Sequence, residues 1–193
     1  MLHTIRVVHC LKVISTIFIA TCAINTWAVT CFDDKKLSAV TQQANTLVYV
    51  WSPRMVLSAH HAAAVQRQAQ QQGLLFVAVH DAQLPQAEID ATRSRMAASN
   101  DSATQRSAAS LQDSLALCAH ALVQRDALRH FPTAFVLRSP SSNGHASVHR
   151  HPVVGAMPET AWAGSLAQRM ADSAGFEPLA VTAAATALAG HVR

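Results

Sequence analysis

Leu47-Val48-Tyr49-Val50-Trp51 is an unbroken apolar run that stops at Ser52-Pro53-Arg54-Met55 and gives way to an Ala- and Gln-rich stretch. Five apolar residues without alternation predict a strand covered on both faces, as in the centre of a sheet flanked by helices. Ser and Pro favour the N-cap and first position of a helix, so the spacing predicts a helix that opens at Ser52-Pro53, with Ser52 as its cap, and runs to Gln72. Gly73 is its stop signal, and Leu74-Leu75-Phe76-Val77-Ala78-Val79 is a second apolar strand ending at His80-Asp81. Strand, helix and strand in so few residues predict a parallel βαβ unit. Such sheets place their chemistry where a strand feeds a helix, because unpaired helix N–H groups and the strand end converge there. Here that place holds Ser52, Pro53, Arg54 and Met55.

The flanking regions read differently. Residues 29–46 form a mixed lead-in, with a short helix expected from Leu37 to Ala44. Residues 82–130 show no strand pattern and predict a helical insertion broken at Asn100-Asp101-Ser102, with Pro85 to Met96 polar and exposed. In its second part Leu111, Leu115, Cys118 and Leu122 fall at helical spacing on one stripe. Phe131-Pro132-Thr133-Ala134-Phe135-Val136-Leu137 predicts a strand opening with a proline, which is tolerated before the ladder begins. A turn cluster from Ser139 to Gly144 leads into a return strand from Ala146 to Val154, whose His149, Arg150 and His151 suit an edge. Gly155 ends this antiparallel hairpin, and Pro158 opens a last helix through Met170. Residues 47–172 thus read as one domain, and 173–193 as an Ala-rich tail with little to hold it.

The amino terminus bears on compartment. Arg6 and Lys12 without acids, an apolar run from Val13 to Ile24, and Thr26-Trp27-Ala28 read as a secretory signal over residues 1–28, cleaved after Ala28, with an uncleaved membrane anchor as the alternative. The remaining 165 residues suit a single core that needs no disulfide staples. Thirteen basic against eleven acidic side chains remain, a net charge of +2 with no basic block interleaved with aromatics, which argues against nucleic-acid binding.

Four pieces in the right order carry a family likeness: Val50-Trp51 running into a helix, Phe131-Pro132-Thr133, Asn143-Gly144, and Val154-Gly155-Ala156 before the last helix. Together they resemble the thioredoxin-like superfamily. The resemblance implies an α/β fold with a mixed sheet: βαβ, the helical insertion, a strand introduced by a cis Phe131-Pro132 bond, an antiparallel hairpin and a C-terminal helix. It also aligns the two redox cysteines of that superfamily with Ser52 and Met55. Disulfide exchange needs a thiolate, which neither residue can supply, so the likeness implies a member without the Cys-x-x-Cys motif.

Cys31 and Cys118 are the thiols left after cleavage; they could pair in an oxidising compartment, or Cys118 could sit as a buried free thiol on its apolar stripe. A Cα separation above about 7 Å would forbid the bond. His149 and His151 would share a strand face and are weak metal candidates without a nearby carboxylate or thiolate, so a solvated edge is the plainer reading. There is no phosphate loop, nucleophile elbow or paired-carboxylate pattern.

Two classes of function remain open. One is a periplasmic or secreted, non-catalytic binding or assembly module of the bacterial cell envelope, without cofactor. It would hold a protein or peptide in a groove lined by Trp51, Ser52, Arg54, Met55, Phe131 and Pro132, with Arg54 as a charged donor. The other is an enzyme, either a thiol-disulfide oxidoreductase using Cys31 and Cys118 or a histidine-based metal-binding protein.

Overall fold

The computed structural model describes residues 31–140 and 144–179. The expected signal segment, Asn143 of the hairpin turn and the tail beyond Leu179 lie outside the described residues. Within them a mixed sheet runs in the order β1-β4-β3-β2-β5-β6-β8, with β7 also on β5. Its strands are β1 (Cys31–Phe32), β2 (Thr46–Trp51), β3 (Leu75–Asp81), β4 (Leu115–Leu117), β5 (Thr133–Arg138), β6 (Ser147–His149), β7 (Val153–Val154) and β8 (Phe176–Pro178). The helices are α1 (Asp34–Gln43), α2 (Val56–His60), α3 (Ala62–Gln71), α4 (Gln86–Ala97), α5 (Ser102–Ser110), α6 (His120–Val123) and α7 (Glu159–Ala171).

The six residues of β2 are all buried, and their alternation feeds two cores. Leu47, Tyr49 and Trp51 pack with Val65 of α3, Leu111 beyond α5 and Trp162 of α7. Val48 and Val50 pack on the other face with Phe32, Leu37 of α1, Leu122 of α6 and Phe135. β2 pairs parallel with β3 and antiparallel with β5, so a βαβ unit is followed by an antiparallel hairpin and a closing helix. This is an α/β arrangement, a central mixed sheet with helices on both faces.

Local chemistry accounts for most boundaries. Asp33 caps α1 by accepting from the Lys36 N–H, and Asp101 caps α5 through Ala103 and Thr104. At the end of α3, Gly73 adopts φ +70° while Leu74 N–H reaches Ala69 C=O and Gly73 N–H reaches Gln70 C=O. That is the Schellman pattern, and the left-handed residue in it favours glycine.

The structure corrects several expectations. The helix after β2 does not open at Ser52: a turn closes from Met55 N–H to Ser52 C=O, and α2 begins only at Val56 and gives way to α3 at His61. The insertion is not wholly helical, since Leu115–Leu117 form a parallel strand wedged between β1 and β3, and the lead-in supplies β1 as the sheet edge. Three residues with no alternation are too short to signal a strand, and only the flanking ladders stabilise them. Within α4, Ile89, Thr92 and Met96 are buried, so the expected exposure fails on the face that meets α5. Finally, His149 does not lie at an edge, because residues 173–178 turn back and lay β8 against β6. Pro152 sits between β6 and β7 and breaks the expected single strand, since it cannot donate to the ladder.

Candidate binding site at the end of the central strand

The junction after β2 is held by one buried hydroxyl. Ser58 Oγ accepts from Ser52 N–H at 3.0 Å and lies within bonding distance of the carbonyls of Ser52 and Met55, at 2.9 and 2.6 Å. Tyr49 Oη–H donates to Ser58 C=O at 2.6 Å from below, and burial pushes that phenol well above its ordinary pKa. Ser52 is itself buried and belongs to this turn, which corrects its expected role as helix cap.

Trp51 is fully buried and does not line a groove, a correction of the expected contact role. Its Nε1–H donates to Ser114 Oγ at 2.7 Å, and Ser114 Oγ stands 2.9 Å from His80 Nδ1. The Ser114 oxygen has a second lone pair and a proton of its own, so its contact with Nδ1 serves either imidazole tautomer. Burial first, and the Arg93 guanidinium second, pull the His80 pKa down to about 4, so this ring is neutral. The C-terminal ends of β2 and β3 are thereby tied to the residue that precedes β4.

Arg54 is exposed but committed. Its Nε–H and Nη2–H donate to the two carboxylate oxygens of Glu88 on α4, each at 3.0 Å, and this bond holds the Glu88 carboxyl below the usual range. The expected free donor is therefore already paired within the chain. The Phe131-Pro132 peptide is cis, Pro132 is buried, and Phe131 packs into the core opposite to that of Trp51. Pro132 C=O accepts from Gly155 N–H at 2.8 Å, which brings the loop after β7 alongside.

What the site offers to solvent is apolar. Met55, Val56 and Leu57 are 49, 62 and 60% exposed, and Val154, in register with Thr133 beside the proline loop, is 41% exposed. The sequence reading included Met55 but not Val56, Leu57 or Val154. A signal was present: three consecutive apolar residues in the first turn of a helix span too wide an arc to face one core.

Cys31 and Cys118 form a disulfide with Cα atoms 5.8 Å apart, and Cys118 N–H donates to Phe32 C=O at 3.0 Å. Cys118 is exposed and Cys31 half-buried, so the buried-thiol alternative is set aside. The bond sits at the same end of the sheet as Trp51, with Leu117 beside Asp81 and Trp51 beside His80, but two strands away from β2. His149 and His151 do not form a chelating pair. His149 is buried, its Nδ1 facing the His151 backbone and its Nε2 3.3 Å from Asp172 Oδ2. Among the described residues no group of three His, Cys, Asp or Glu side chains is arranged to hold a metal, and no helix is long and apolar enough to cross a membrane.

No protein-family model matches the chain, and no curated protein matches it. Among solved structures it is similar to a secreted Mycobacterium tuberculosis disulfide oxidoreductase homologous to E. coli DsbE. The identity is 14%, over 67% of this chain and 85% of that one, with a TM-score of 0.40, and at that score the likeness decides neither fold nor activity.

Proposed function

We propose that the chain is a thioredoxin-like docking module of the bacterial cell envelope, without redox cysteines in its central loop, that holds a protein or peptide partner at the end of β2. The observation that carries this reading is the exposed run Met55-Val56-Leu57, at the place where the superfamily would carry its thiols, with Val154 exposed on the strand beside Thr133. Contiguous exposed apolar side chains on a folded surface mark contact sites. Ser52 and Met55 supply no thiolate there, so the loop binds and does not exchange disulfides. Trp51 and Ser52 act from beneath, by fixing the loop, while Arg54 pins it to α4. A periplasmic or secreted location follows from the expected signal and agrees with a disulfide, which persists in oxidising compartments. The test is capture of cross-linked envelope partners by the mature protein. Met55→Ser with Leu57→Ser should abolish capture of the same partner without lowering the melting temperature, and unchanged capture would refute the reading.

A second reading has its own observation. An exposed Cys118 bonded to Cys31 is within reach of an attacking thiolate, and a thiol oxidoreductase would work through this pair. Reduction of insulin by the dithiol form, lost in Cys118→Ser, would support it; inactivity of the reduced protein removes it.

A further inference from the structure

Behind the loop, α2, α4 and α5 enclose a pocket of about 360 Å³. Its size falls at the lower end of small-molecule sites. Val56, Ala59 and Met96 supply its apolar wall; Arg95, Thr92, Ser99, His60 and Thr104 supply the polar one.

The polar groups are unequal in what they have left to give. Thr104 gives its proton to Asp101 Oδ2 at 2.6 Å, so its oxygen is left to accept from His60 Nδ1 at 3.3 Å. Thr104 is thereby spent on His60 and on the cap of α5, while His60 keeps its Nε2. Thr92 and Ser99 are different. Thr92 Oγ1 accepts from Arg95 Nη2 at 3.1 Å and Ser99 Oγ accepts from Asp101 N–H at 3.1 Å, and among the described residues neither hydroxyl proton has an acceptor. Arg95 makes no ion pair among the described residues, whereas Arg54, Arg67, Arg93, Arg125 and Arg129 each meet a carboxylate. The contact with Thr92 holds the guanidinium at the pocket. Arginine has five N–H donors and no acceptor, so guanidinium and hydroxyls together leave a surplus of donors beside an apolar wall.

From this imbalance we infer that the pocket binds a carboxylate carried on a short apolar stem. The carboxylate accepts from Arg95 and from the hydroxyls of Thr92 and Ser99, and the stem lies on Val56, Ala59 and Met96. A carboxylate has lone pairs for all three donors, and the Arg contact is charge-assisted. Two sources share this chemistry: the C-terminal residue of a peptide and a free short-chain acid. Val56 belongs to both surfaces, but Met55 and Leu57 lie outside the pocket, so the inference does not depend on the docking reading.

Isothermal titration of the mature protein separates the sources. The ligands are a tripeptide ending in leucine with a free carboxylate, the same tripeptide amidated, hexanoate and hexanamide. Each carboxylate that binds should do so at least about tenfold more tightly than its amide, and Arg95→Gln should remove that difference while Arg106→Gln, on the neighbouring helix, preserves it. Preference for the peptide or for hexanoate names the source. Equal binding of acid and amide, no binding of either acid at millimolar concentration, or full binding by Arg95→Gln with an unchanged melting temperature would overturn the inference. Met55→Ser with Leu57→Ser should leave these titrations unchanged, so failure of the docking reading and failure of this one give different results.

Discussion

The ends of β2 and β4 lie at the same end of one sheet and each feeds a helix, yet they are equipped for different work. The β2 end carries no thiol, buries its tryptophan and shows solvent three apolar side chains. The β4 end exposes Val123 of α6 and carries Cys118 in a disulfide to the edge strand β1. Between them, at the end of β3, His80 and the Ser114 hydroxyl link the β2 end to the start of β4. The separation shows that the same strand-to-helix geometry can end in exposed apolar side chains at one place and in a covalent cross-link at the other.

The strongest way to break this contrast is to open the β4 end. The disulfide spans 87 residues, for which loop-closure entropy amounts to about 4.5 kcal/mol, and removing native bonds costs somewhat less in practice. Cys31→Ser with Cys118→Ser should therefore lower stability by about 3 kcal/mol, a fall in Tm of roughly 10 °C by calorimetry. Partner capture at the β2 end should survive below the new Tm; its loss in a folded variant would show that the two ends act as one site.

The link between them responds to acid. The folded-state pKa of His80, about 4, lies below its ordinary value of 6.5, so the unfolded chain takes up the proton first as pH falls. Stability from this group is whole above pH 6.5 and is lost as pH drops toward 4. Allowing for partial solvent screening, the loss is roughly 2 kcal/mol. Urea unfolding between pH 7 and 4 should show that decline, and His80→Gln should flatten the corresponding part of the profile.

Cutting the link at its centre has a smaller effect. Ser114→Ala leaves the buried Trp51 Nε1–H without an acceptor and should cost about 1.5 kcal/mol in denaturant unfolding, with a change in tryptophan fluorescence. An unchanged midpoint would mean that water replaces the hydroxyl. Smallest for stability is the β2 surface itself: Met55→Ser and Leu57→Ser should each stay within about 0.5 kcal/mol of the parent, because both side chains already face solvent. Their effect belongs to binding alone.

The β2–β3 unit, the proline-led β5, the hairpin and the last helix were legible in the residues, because long apolar runs, Gly73 and the proline positions act locally. The candidate site was legible only in its location. Trp51, Ser52 and Pro132 were expected at a groove and are buried beneath one, since a residue at a strand end can turn toward the core or the solvent at no cost visible in its neighbours. Arg54 looked free because Glu88 stands 34 residues away, and Thr92, Arg95 and Ser99 gave no sign of converging with α2. β4 and β8 were missed for the same reason: two or three residues acquire strand character from the ladders beside them and not from their own pattern. The sequence by itself determined the central strands, the helix stop at Gly73 and the absence of thiols after Trp51, because propensity and residue chemistry are local properties. Only the tertiary structure decided which side chains face solvent, which charges are already paired and that Cys31 meets Cys118, because burial and partnership depend on what distant segments bring to the same place.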